Sequence, residues 1–142
     1  MRRVGGRFSR SNNNQRRGAA AVEFAVVAPV MFMVIMGMFE LGRAMSIQQV
    51  LTNAAREGAR ESTLIGATVA SVTDVVEGYA SAVSIDGVTT NVTPDPSTVT
   101  SGELVTTTVS VNYNPLSGYG VGWFGRDFQI SAASTMRKEG FD

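Results

Sequence analysis

One carboxylate, Glu23, stands in the run from Ala19 to Phe39, 21 residues that carry no other charge. An ionised, unpaired side chain in hydrocarbon is costly, so a carboxylate inside such a run is functional by default. The chemistry open to it is electrostatic: pairing with a cation supplied by another chain. Only four residues separate Glu23 from Gly18 and the Arg16-Arg17 pair before it. A second reading therefore has Glu23 near the interface, reaching water. Phe24 follows directly and Pro29 interrupts the run. A proline inside a helix removes one hydrogen bond, and a membrane helix tolerates the resulting kink where neighbouring groups satisfy the freed carbonyl.

Other chemistry is limited by composition. The 142 residues include neither cysteine nor histidine, which removes disulfides, thiolates, Ser-His-Asp triads and His-ligated metals. The acids beyond residue 62 are scattered and form no metal-ligand run. No catalytic residue, metal site or cofactor is expected, and the chain reads as a non-enzyme.

The charges that flank Glu23 have a strong asymmetry. Arg2, Arg3, Arg7, Arg10, Arg16 and Arg17 all precede Gly18 with no acid among them, whereas six basic and twelve acidic residues follow it. Beside an apolar span, such a cluster sets topology: the arginines stay in the cytoplasm and the acidic remainder is exported. Nucleic-acid binding, the other use of an Arg-rich end, is set aside for the same reason.

These residues need elements to hold them, and the chain divides into four parts. Residues 1–18 are rich in Arg, Asn, Ser and Gly and read as a leader, disordered until bound or cut. Residues 19–39 form a transmembrane helix, since 21 residues at 1.5 Å each span about 30 Å. Residues 40–65 continue that helix as an amphipathic stalk with Leu41, Met45, Ile47, Gln48, Leu51, Ala54, Ala55, Gly58 and Ala59 on a narrow stripe, packed on its own domain or on other subunits. The adjacent pairs Arg56–Glu57 and Arg60–Glu61 supply opposite charges along its other side. Gly58 and Ala59 suit close helix packing, with a weak point in the helix as the alternative.

Residues 66–142 make a small exported domain of α+β class. A second helix is predicted from Val69 to Val83, ending before the turn signal Asp86-Gly87. Strands are predicted at 88–93, 104–113 and 128–136, as an antiparallel meander whose apolar face the second helix covers. The glycine-rich stretch 114–127 carries Tyr119, Trp123 and Phe124, either a partner surface or core filling. Asn91-Val92-Thr93 matches a glycosylation acceptor but is too short to be informative.

Gly18, Glu23-Phe24, Pro29, Glu40-Leu41-Gly42-Arg43 and Asn53-Ala54-Ala55-Arg56-Glu57-Gly58-Ala59-Arg60 together closely resemble the TadE-like proteins, pseudopilins of tight-adherence (Tad/Flp) pilus systems. The resemblance covers residues 16–61. It implies cutting by a prepilin peptidase at the bond Gly18–Ala19, leaving Glu23 as the fifth residue of the mature chain. It also implies a bacterial inner-membrane location, single-pass with the N-terminus cytoplasmic and the C-terminal domain outside, and incorporation into or beside the pilus. The implied partners are the prepilin peptidase, other pilins and pseudopilins, and the Tad inner-membrane platform, in a hetero-oligomeric assembly. Cutting would free an α-amine on Ala19, and a neighbouring subunit could bring that amine to Glu23, fixing the stagger between subunits.

Two other classes remain open at this point. One is an unprocessed bitopic membrane protein with a small extracytoplasmic partner-binding domain. The other is a secreted enzyme whose signal peptide ends near Gly42-Arg43-Ala44, a reading weakened by Glu23 and Glu40 and by the length of the span.

Overall fold

A computed structural model of the chain describes residues 12–114 and 128–140. Helix α1 runs from Asn12 to Thr63 and α2 from Val69 to Ala82; strands β1 (Val88–Thr93), β2 (Leu104–Tyr113) and β3 (Phe128–Arg137) follow. The chain divides into two compact units at Phe39 and Glu40. The stretch with Tyr119, Trp123 and Phe124 lies outside the described residues.

In the first unit the apolar run is helical throughout, and α1 continues through Pro29. The helix begins seven residues before Ala19, where a disordered leader was expected. Asn12 to Gly18 is helical because adding turns to an existing helix fixes one residue per hydrogen bond, without the cost of a new nucleus, and Gln15, Arg16 and Arg17 are good helix formers. The segment from Gly18 is long and apolar enough to cross a membrane, and its apolar window is wholly unburied.

In the second unit the strands form one antiparallel sheet in the order β1-β2-β3. Alternation on β2 buries Val105, Thr107, Val109, Val111 and Tyr113. The register places Val92 opposite Thr107, Val109 opposite Ala132 and Val111 opposite Ile130, extending that face across all three strands. The other face carries Thr89, Asn91, Thr106, Thr108, Ser110 and Thr135, the polar partners of the same alternation. Gly87 turns the chain into β1 at φ +72° and Gly102 turns it into β2 at φ +87°, a region costly for other residues.

The inner face is covered by both helices. Leu51, Ala54 and Ala55 of α1 join Val72 and Val76 of α2 in the same buried cluster as the strand valines. The sequence assigned this cover to α2 and allowed the stalk to pack on its own domain as well; the stalk shares the cover because alanine and glycine at 54, 55, 58 and 59 let the α1 backbone approach the sheet closely. Helix α2 starts with a capping box in which the Thr68 hydroxyl accepts from the Ser71 N–H and the Ser71 hydroxyl accepts from the Thr68 N–H, each 3.2 Å. Where α1 ends, the buried Ser62 and Thr63 hydroxyls donate to the carbonyls of Ala59 and Arg60, so neither is buried without a partner.

Candidate functional site

The sequence-predicted residues fall in two places, each described within its own unit. Gly18, Ala19, Glu23, Phe24 and Pro29 lie on the exposed helix of the first unit. A methyl group added at Gly18 would meet nothing within 4 Å, so the glycine is not required there by packing. Glycine is worth about 1 kcal/mol less than alanine in a helix interior, which makes the turn containing Gly18 easier to open than its neighbours. Glu23 is exposed and makes no ion pair among the described residues. Phe24 keeps 68% of its surface and stands among exposed valines and methionines. Pro29 has no N–H, so the Ala25 carbonyl loses its helical donor. The surface therefore offers one carboxylate, one freed carbonyl and a broad apolar surround, which is a docking chemistry for other apolar helices, with no nucleophile–base pair in it.

Gly58 and Ala59 sit in the second unit, and both are buried. A Cβ on Gly58 would lie 2.6 Å from Val76 Cγ2, 3.0 Å from Thr107 Cγ2 and 3.3 Å from Val72 Cγ1. The contact served by this glycine is with α2 and β2 of the same chain. On the outward side, the ion pair among the described residues is Arg60–Glu57 at 3.7 Å, one helical turn apart, drawn from the opposite charges at 56, 57, 60 and 61. Adjacent helical residues point about 100° apart, whereas i and i+3 are neighbours. Being exposed, the pair contributes little stability.

The structure adds a cluster that no sequence pattern brought together. The Tyr113 hydroxyl, at the end of β2, donates to the Glu40 carboxylate at the start of the stalk. The Arg43 guanidinium lies over the Tyr113 ring, 5.5 Å from its centroid, and Phe128 packs against the same ring at 5.0 Å with a tilt of 49°. Burial pushes the Tyr113 pKa up to about 12, with the Glu40 hydrogen bond and charge acting in the same direction and the Arg43 charge opposing them. The available signals were indirect: Glu40 and Arg43 are one helical turn apart, and Tyr113 continues the inward alternation of β2.

With this geometry in view, the comparison with protein families is specific. Residues 18–60 match the family described as TadE-like protein. The match begins at Gly18, runs through Glu23, Pro29 and the Glu40–Arg43 turn, and ends at Arg60, so the family likeness is carried by α1. The family is associated with the Tad pilus system. No curated protein and no solved structure matches the chain.

Proposed function

We propose that this chain is a pseudopilin: a prepilin peptidase cuts it between Gly18 and Ala19, and the mature chain takes part in assembling a Tad/Flp adherence pilus. The observation that carries the reading is the family match over 18–60, whose first part, 18–39, falls on an apolar helix left uncovered by its own chain. Before cutting, the basic leader stays in the cytoplasm, the span anchors the chain in the inner membrane, and residues 66–142 lie outside. After cutting, the Ala19 amine of one subunit pairs with Glu23 of another, and other pilins and the platform proteins cover the exposed apolar surface. Pairing offsets the desolvation of both charges and sets the register between subunits.

The test is the mature N-terminus, determined from membranes of cells that carry the pilus system. Ala19 as first residue is the expected result, and Gly18→Val should leave the full-length chain. Because a Cβ at 18 meets nothing within 4 Å on an exposed helix, accumulation of the uncut variant would report on the peptidase more than on folding. A wild-type chain still beginning at Met1 would favour an unprocessed membrane protein, and one beginning near Ala44 or Met45 a secreted one.

A further inference from the structure

The charge-poor run ends at Phe39, and the globular unit begins with the next residue, Glu40. Tyr113, the last residue of β2, donates to the Glu40 carboxylate. Phe128, the first residue of β3, packs on the Tyr113 ring. One end of the sheet is thus tied to the first helical turn after the apolar run. On that turn and the next, Leu41 and Met45 are exposed at i,i+4 spacing, and Phe128 keeps 48% of its surface. Exposed Phe, Leu and Met beside the exposed Arg43 are a mixture suited to a membrane–water boundary: apolar bodies face the acyl chains and the charged tip faces the headgroups.

We infer that this end of the globular unit, with Leu41, Arg43, Met45 and Phe128 exposed around the buried Tyr113, is a lipid-contacting surface that rests on the phosphate layer of a phospholipid leaflet. Arg43 supplies the positive charge for a lipid phosphate. Glu40, the one acid in the cluster, is engaged by the Tyr113 hydroxyl and Arg43 stands beside the same ring, which limits its repulsion of that phosphate. A leaflet is the occupant because the surface is joined, through the Phe39–Glu40 peptide bond, to a helix able to cross a membrane. The inference rests on that helix being in a bilayer.

The absence of cysteine from the chain permits a direct test. Full-length single-cysteine variants Phe128→Cys, Asn114→Cys, Val34→Cys and Ile65→Cys are spin-labelled and reconstituted in phosphatidylethanolamine/phosphatidylglycerol vesicles. Collision with dissolved oxygen is then compared with collision with an aqueous nickel chelate. Asn114 is exposed at the same end of the sheet and covers the case in which substituting Phe128 disturbs Tyr113. Ile65, 81% exposed beyond the C-terminal end of α1, is the water reference, and Val34 reports on the span. Labels at 128 and 114 should lose aqueous collision and gain oxygen collision relative to 65. If they match 65 while Val34 is protected, the inference is overturned and the span stands. An aqueous Val34 label overturns both. Spin–spin broadening at 128 that disappears on dilution with unlabelled chain would assign the surface to a second copy and overturn the leaflet.

Discussion

Gly58→Ala adds one methyl group at the closest approach between α1 and the elements it packs on, and the surrounding distances set the sign of its effect. By propensity alone, the change would stabilise a helix by about 1 kcal/mol. The new carbon would, however, lie 2.6 Å from Val76 Cγ2 and 3.0 Å from Thr107 Cγ2. Carbon atoms pack best about 3.5–4.0 Å apart, so something must move by roughly 1 Å. Val76 is fully buried and, being β-branched in a helix, holds essentially one χ1 rotamer. It cannot swing aside, and the strain passes to the helix backbones. Overpacking of this kind costs about 1–3 kcal/mol, so the propensity gain is outweighed and the expected net loss is about 1 kcal/mol.

Gly78 supplies the matched control. It lies in α2 with nothing within 4 Å of an added Cβ, so Gly78→Ala should show the propensity term alone and stabilise. For a domain of this size, 1 kcal/mol moves Tm by about 4–8 °C. Thermal unfolding of the full chain in detergent micelles, followed by circular dichroism, should show Gly58→Ala below the wild type and Gly78→Ala above it. Combining Gly58→Ala with Val76→Ala should cost less than the two single effects added, because the second change removes the methyl in conflict. The reasoning is refuted if Gly58→Ala equals or exceeds the wild-type Tm while Gly78→Ala rises as expected, for the contact would then contain slack.

Glu23→Gln separates assembly from processing: the variant should still be cut after Gly18, but its ratio in sheared pili to membranes should fall, since removing one member of a buried ion pair costs about 3–5 kcal/mol. An unchanged ratio with normal pilus number would place the carboxylate at the interface, reaching water. The raised pKa of Tyr113 makes an alkaline prediction: the folded chain holds that proton after the unfolded chain has lost it, so this contribution to stability is intact below about pH 10 and is lost as pH rises through about 12. In an ultraviolet titration of the three tyrosines, one should ionise late, and Tyr113→Phe should remove that late step and flatten the alkaline decline; a late step that survives the substitution belongs to another tyrosine.

Local chemistry made most elements legible. The valine and threonine alternation of β2 sets which face is buried, and Asp86-Gly87 separates α2 from β1 through a turn that only glycine adopts at little cost. The start of α1 was less legible because polar residues such as Asn12 to Gln15 carry no periodic signal, while a neighbouring helix extends over them at little cost. The Glu40–Tyr113 contact joins residues 73 apart in sequence, and no local spacing encodes it. At Gly58 the sequence left close packing and a weak point in the helix both open and named no partner, since a small residue permits an approach without specifying from which side it comes. The two sides become distinct only when α2 and β2 are placed against it.

That distinction bears on how one helix can serve both folding and assembly. Within the stalk, Leu51, Ala54, Ala55, Gly58, Ala59 and Ser62 are buried in the chain's own unit, whereas Asn53, Arg56, Glu57 and Arg60 are exposed. The small residues Ala54, Ala55, Gly58 and Ala59 of the stalk are thus used by intrachain packing and are not available to hold a neighbouring subunit. In the assembly proposed above, contacts between subunits draw on what the fold leaves over: the apolar surface from Val22 to Phe39, Glu23 within it, and the charged outer face of the stalk. The apolar surface supplies affinity without direction, because burial is non-directional and roughly proportional to area. Direction has to come from the few polar groups, and along the span these are Glu23 and the Ala25 carbonyl freed by Pro29. A single carboxylate is an effective source of it, since a misaligned neighbour leaves a charge unpaired in hydrocarbon while an aligned one does not.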